Sequence, residues 1–289
     1  MLDATMSPAM PNATMTKTAE TPAIETRDLT RSFGQFTAVE RVHLRVNQGE
    51  FFGFLGPNGA GKSTTIRMLT GLLQPSSGSI CILGIDFARH PLEVKRQIGV
   101  VPEGLALFKR LTATEMLHFA GQMYGLDKPT TRARTEELLE FMNLASEGRK
   151  LVADFSHGMQ KKLALAAAVI HGPRILFLDE PFEGVDAVAA VTLKQMLQGM
   201  IARGATIFLT SHVLEIVERL CSHVAIIDRG KLIANGSLDE LRAGVHAESH
   251  NAEESTARLT LEEIFLRVVG QEAAHDDPAR PAQELSWLS

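Results

Sequence analysis

Apolar positions follow two periods along this chain. Phe51, Phe52, Phe54 and Leu55 form a short, nearly unbroken apolar run, and so do residues 175–179 (ILFLD), 206–210 (TIFLT) and 224–228 (VAIID). Runs of this length, separated by helix-length segments, mark strands buried on both faces of a parallel sheet. Residues 24–46 instead alternate apolar and polar around Phe33-Gly34, which predicts antiparallel strands ahead of the first buried one. Helical spacing appears in residues 111–124 (Met116, Leu117, Ala120, Met123) and 135–144 (Leu138, Leu139, Met142). The expected fold class is therefore α/β, with a β-rich N-terminal subdomain, a mostly parallel core sheet and a helical insertion over about residues 103–160. Residues 1–22, rich in Thr, Ala, Met and Pro, read as a disordered lead, and residues 23–244 as the folded domain. Residues 245–289 read as an extension with one short helix and a tail that runs to the lone Trp287. The helix opens on a capping box at Thr260 and Glu263 and carries Leu261, Ile264, Phe265, Val268 and Val269.

Composition narrows the partners. With 289 residues, 45% hydrophobic and 22% charged, a full core is affordable. The net charge is −5 and basic residues come no denser than pairs such as Lys161-Lys162, so a nucleic-acid groove is not expected. Cys81 and Cys221 lie among apolar residues with no C-x-x-C spacing, as small core side chains of a reducing compartment would. The start lacks the basic and long apolar segments of a secretory signal, and no apolar stretch approaches 18 residues. A cytosolic location follows, and any membrane role must come through a partner.

The chemistry begins where the first buried strand ends. Gly56-Pro57-Asn58-Gly59-Ala60-Gly61-Lys62-Ser63-Thr64 lies between that strand and a helix-compatible segment with Ile66, Met68, Leu69, Leu72 and Leu73. Glycines let backbone N–H groups turn toward an anion, Lys62 adds a point charge, and the Ser63 hydroxyl can hold Mg²⁺, which together imply a cradle for a nucleoside triphosphate. Asp179 and Glu180 close a second buried strand, at the carboxyl end where α/β folds bind ligands. Asp179 then faces Mg²⁺, and Glu180 polarises an attacking water. His212 follows a third strand and is a candidate γ-phosphate contact; no H-E-x-x-H or Cys/His cluster suggests metal ligation. Ser156-His157-Gly158 opens a helix. Taken alone it is an ordinary cap, although such an end can also bind an anion.

The order of these segments resembles the nucleotide-binding subunit of an ATP-binding cassette (ABC) transporter over roughly residues 24–244. Phe33 resembles the aromatic that stacks on adenine, residues 56–64 the Walker A loop, and Glu103 stands where the family has its Q-loop glutamine. FSHGMQ resembles the signature loop, ILFLDE the Walker B strand, residues 183–186 the D-loop, and His212 the switch histidine. The resemblance implies a P-loop NTPase fold and a MgATP-hydrolysing enzyme, with Glu180 and His212 catalytic and Ser63, Glu103 and Asp179 on Mg²⁺. It also implies a head-to-tail dimer, a homodimer by expectation, in which Ser156, Gly158 and Asp186 serve the ATP of the opposite subunit. An integral membrane permease on a separate chain would dock around residues 103–111, with this subunit peripheral on the cytoplasmic face. The text around LTATEMLHFAGQMYGL and SHGMQKKLALA is closer to exporters than to importers.

The chain departs from the family pattern at Glu103, which adds charge beside phosphates, at His157 and Met159 in the signature loop, and in the D-loop, where Asp186 is the residue kept. A soluble ABC-type ATPase acting on ribosomes or nucleic acid is the alternative. Such proteins generally carry two cassettes or a long coiled coil, and this chain has one cassette. A GTPase or kinase would need guanine-reading or Asp-x-x-Gly motifs that are not found, and a non-hydrolysing cassette would need the loss of Glu180 or His212.

Overall fold

The computed structural model of the chain describes residues 21–248 and 259–276. The lead expected over residues 1–22, but for its last two residues, and the tail beyond 276 with Trp287 lie outside the described residues. Strands β1 (Ile24–Phe33) and β2 (Phe36–Val46) pair antiparallel, with Phe33 opposite Phe36 across the turn. Strand β3 (Phe51–Leu55) leads through the glycine-rich loop into α1 (Lys62–Leu69). Strands β4 (Ser77–Ile82) and β5 (Ile85–Asp86) complete an antiparallel sheet of order β2-β1-β4-β5. Helix α2 (Pro91–Gln97) enters β6 (Ile98–Val101), and α3 (Ala113–Met123), α4 (Lys128–Phe141) and α5 (His157–Val169) form the helical layer. Then β7 (Ile175–Asp179), α6 (Ala187–Ala202), β8 (Thr206–Ser211), α7 (Leu214–Leu220) and β9 (His223–Asp228) alternate. After them come β10 (Lys231–Ser237), α8 (Leu238–Glu248) and α9 (Leu261–Asp276). The second sheet has the order β10-β9-β3-β8-β7-β6, parallel except for its edge strand β10. This is the α/β architecture expected from the apolar runs.

Period-two alternation splits the central strands between two cores. From β3, Phe52 and Phe54 face the antiparallel sheet, where they meet Ile24, Val42 and Val46 and the α1 residues Ile66 and Leu69. Phe51 and Leu55 face the helical side with Leu117, Leu163 and Leu209. Phe208 of β8 is the hub of the first core, its ring 5.6 Å from Phe52, 5.5 Å from Phe54 and 5.6 Å from Phe177. Fully burying one such ring contributes about 1.5–3 kcal/mol. The sheet's carboxyl edge is thus set by packing on both sides.

Two boundaries fall differently from the sequence reading. Helix α5 continues past residue 160 to Val169, because its stretch of Leu and Ala is itself core, with Leu163, Leu165 and Ala166 buried. The division drawn at residue 244 falls inside α8, since Leu, Glu, Arg and Ala sustain a helix although the composition turns polar. Helix α9 does open on the capping box: Thr260 N donates to Glu263 Oε2 at 2.8 Å, and Glu263 N donates back to Thr260 Oγ1 at 3.3 Å. Leu261 and Ile264 are each 0% exposed, and Leu261 shares the helical-side core with Val217 of α7. Arg242 of α8 ties this corner together. It donates to Glu218 Oε1 at 2.7 Å, to the Leu259 carbonyl at 2.9 Å and to Asp239 Oδ1 at 3.1 Å.

Candidate functional site

The loop after β3 opens directly into the first turn of α1. A helix has no internal acceptors for its first N–H groups, and Gly61 at the N-cap of α1 offers no side chain to satisfy them. Glycine is obligatory at Gly56, where a Cβ would stand 2.2 Å from the Ile227 carbonyl, and at Gly61, where φ is 110°. The loop is tied to both sheets: Gly230 N donates to the Ala60 carbonyl at 2.9 Å, and Glu40 N donates to the Gly230 carbonyl at 2.8 Å. Lys62 is 7% exposed; its Nζ donates to the carbonyls of Gly56 at 2.7 Å and Pro57 at 3.2 Å and lies 3.9 Å from Glu180 Oε1.

Register places the facing carboxylates. Asp179 shares a face of β7 with Ile175 and Phe177, toward α1, and pairs in register with Thr210 of β8. Thr210 Oγ1 donates to Asp179 Oδ1 at 2.7 Å, and Ser63 Oγ lies 3.3 Å from the same oxygen. Beyond the strand end, Glu180 has a φ of 49°, a left-handed backbone that turns its carboxylate out of the alternation. Its N–H donates to Thr210 Oγ1 at 3.1 Å, and its Oε2 meets His212 Nδ1 at 3.0 Å and the His212 N–H at 3.3 Å.

These groups converge on one open cleft of about 470 Å³. Phe33, Asn58, Gly59, Gly61, Lys62, Ser63, Thr64, Glu103, Glu180 and His212 line it, together with Phe36 and Glu183. Phe33 is 47% exposed and carries the Arg31 guanidinium over one face, 4.5 Å from the ring centroid. Ser156, Gly158 and Asp186 are not part of its lining. They gather elsewhere: Ser156 caps α5, Asp186 caps α6, and a Cβ on Gly158 would lie 3.0 Å from Asp186 Oδ2. His157 Nδ1 lies 3.1 Å from the Gly184 carbonyl, so this loop and residues 183–186 are one packed unit.

Two residues lie outside the sequence reading. Thr210 was visible only as a hydroxyl near the end of an apolar strand. Lys161, read there as half of a basic pair, is 4% exposed, and its Nζ donates to the Glu180 carbonyl at 2.6 Å. Burial pushes the Lys161 ammonium below its usual range, while the carboxylates of Glu183, Glu180, Glu103 and Asp179 act in the opposite direction. A charge inside an otherwise apolar helix was the available signal.

The sequence model of the ABC transporter family matches residues 39–183, half of the chain and most of the cleft. The chain belongs to that family. Among ABC relatives, the bacitracin transport ATP-binding protein BcrA of Bacillus licheniformis is 38% identical over 245 residues, 84% of this chain and 79% of BcrA. The Nod factor export ATP-binding protein I of Cupriavidus metallidurans is 38% identical over 221 residues, 76% of this chain and 73% of that protein. A solved structure of the ATP binding subunit of an ABC transporter matches with a TM-score of 0.77 at 32% identity, covering 86% of this chain and 99% of its own. This ABC subunit is an ATPase whose hydrolysis of ATP is coupled to transport across a membrane. Among the described residues no helix is long and apolar enough to cross one.

The donor set of the cleft fits MgATP. Ser63 and Asp179 offer hard oxygens beside the cradle, and Glu103 faces the same space. No three His, Cys, Asp or Glu side chains among the described residues form a metal cage, and Mg²⁺ needs none when phosphates and waters complete its shell.

Proposed function

We propose that two copies of this ABC subunit close head to tail on two MgATP, each held between the Walker A cleft of one copy and the signature loop of the other. The observation that carries this reading is the division of labour within one chain. Lys62, Glu180 and His212 share a cleft, while the cap of α5 with Ser156 and Gly158 lies outside it, alongside Asp186. An α5 N-terminus offered to a partner's γ-phosphate completes a site that one copy lacks. Adenine stacks on the face of Phe33 opposite Arg31, and the backbone of residues 56–64 with Lys62 cradles the phosphates. Ser63, Asp179 and Glu103 hold Mg²⁺, which when bound neutralises phosphate charge. Glu180 accepts the proton of the attacking water, and His212, fixed by Glu180 Oε2, contacts the γ-phosphate.

The domain reading that goes with this is a nucleotide-binding domain that starts near residue 23 and runs through α8, with a helical subdomain from about residue 103 through α5. The exposed edge-to-face pair Phe108 and Phe119, centroids 5.2 Å apart, suits contact with a separate membrane permease beside residues 103–111. Closure then moves that permease at the cytoplasmic face of the membrane. Export is the direction supported by a relative named for Nod factor export. The test is Glu180→Gln. With saturating MgATP this variant is expected to bind nucleotide, lose hydrolysis by at least a hundredfold and elute as a dimer in light-scattering chromatography; a monomer that still hydrolyses ATP overturns the reading.

A further inference from the structure

The geometry points to Lys161 as a positioning residue for Glu180, one that locks the backbone of the proposed base and ties it to the signature helix α5. The inference rests on the reading of Glu180 and of the α5 N-terminus given above.

Glu180 stands in a left-handed conformation without being glycine, with φ at 49°. A residue persists there only when its surroundings over-determine it. Here they do so from both sides of the residue. The Glu180 N–H donates to Thr210, to Oγ1 at 3.1 Å and to the carbonyl at 3.3 Å. The Glu180 carbonyl accepts from Lys161 Nζ at 2.6 Å. With N–H and C=O both fixed, the side chain leaves the turn toward His212 at 3.0 Å and Lys62 at 3.9 Å. The same carbonyl accepts a longer bond from the Glu183 N–H at 3.3 Å, so without the lysine it keeps only that weaker partner and the peptide is held less firmly in this turn.

A neutral donor could pair one carbonyl, so the ammonium needs its own reason. Glu103, Asp179, Glu180 and Glu183 all act electrostatically on Lys161. In this chain Glu103 adds a carboxylate to a wall that must also receive polyphosphate. Lys161 supplies the compensating positive charge from the protected side, behind Glu180, while Lys62 supplies it from the front.

The lysine also has a meaningful address. It lies five positions after Ser156, the cap of α5. The helix whose end serves the partner's ATP is therefore hydrogen-bonded, little more than one turn later, to the base serving its own. A shift of α5 on closure acts directly on the Glu180 turn.

The test uses the full chain, with MgATP binding followed by a fluorescent ATP analogue and hydrolysis by phosphate release. Lys161→Met is expected to keep nucleotide affinity within about threefold and lower kcat by at least twentyfold, and Lys161→Arg, which retains a charged donor, to recover at least a third of wild-type kcat. Combined with Glu180→Gln, Lys161→Met is expected to add no further loss, because the two act as a unit. A Lys161→Met enzyme with near wild-type kcat, or Lys161→Arg as poor as the methionine variant, overturns the inference. Should Lys161→Met fail to fold, the arginine variant and Lys161→Gln, expected to fall between arginine and none, carry the comparison. If Glu180→Gln itself hydrolyses ATP at the wild-type rate, it is the underlying reading of the base that fails.

Discussion

His171 lies face to face with Tyr124, ring centroids 3.5 Å apart and planes 2° from parallel, and its Nε2–H donates to the Ile98 carbonyl at 3.1 Å. Burial holds the imidazole pKa down at about 4; the Ile98 hydrogen bond favours the charged form, and Arg134 opposes it. The folded value is thus below the unfolded one near 6.5, so the stability it confers is complete above pH 6.5 and is lost as pH falls toward 4. By pH 5 the loss is about 2 kcal/mol. Urea unfolding at pH 7 and pH 5 is expected to reveal this drop in the wild type and a clearly smaller one in His171→Gln, which keeps a donor for Ile98. Equal pH slopes would assign the acid sensitivity to other groups. At this scale the sequence disclosed residues whose chemistry is local: the glycines, Lys62 and Ser63 sit within eight positions. It concealed Thr210 and Lys161, whose partners stand 31 and 19 residues away, because no periodicity encodes the reach of a side chain between elements.

Among the elements, β3, β7, β8 and β9 were readable as apolar runs because a strand covered on both faces has no polar side to interrupt it. What the runs could not tell was that alternate residues enter different cores, and this alternation directs Asp179 and Thr210 to the same face. Phe208 binds the arrangement from beneath, two residues before Thr210. Phe208→Ala removes the ring shared by three others and is expected to destabilise the domain by about 3–5 kcal/mol, seen as a lower urea midpoint with an unchanged m-value. A loss below about 1 kcal/mol would show that Phe52, Phe54 and Phe177 close over the gap.

At the level of the whole molecule, the two sheets, the helical layer and the helix after Thr260 followed from the sequence pattern, but the way the C-terminal corner is held on the fold did not. Composition turned polar near residue 245, yet α8 runs through that point, and α9 delivers Leu261 into the main core and buries Ile264 as well. Their burial depends on contacts with α7 that are remote in sequence. Arg242 concentrates that dependence, since its guanidinium bridges α7 and the residue that precedes α9's cap. Arg242→Ala is expected to cost about 1–3 kcal/mol and to raise hydrogen exchange selectively in α9, leaving β3 and β8 protected. Uniformly faster exchange across the chain would mean that the corner does not unfold as a separate unit.

The tether of the glycine loop to both sheets, through Gly230 to Ala60 on one side and Glu40 on the other, bears on the thermodynamics of fuel uptake. Because its backbone is already held in shape by the sheets, the loop surrenders little freedom when a triphosphate arrives. Capture then resembles a key entering a cut lock, and in the proposed head-to-tail arrangement the large rearrangements of the cycle fall to the surfaces between subunits.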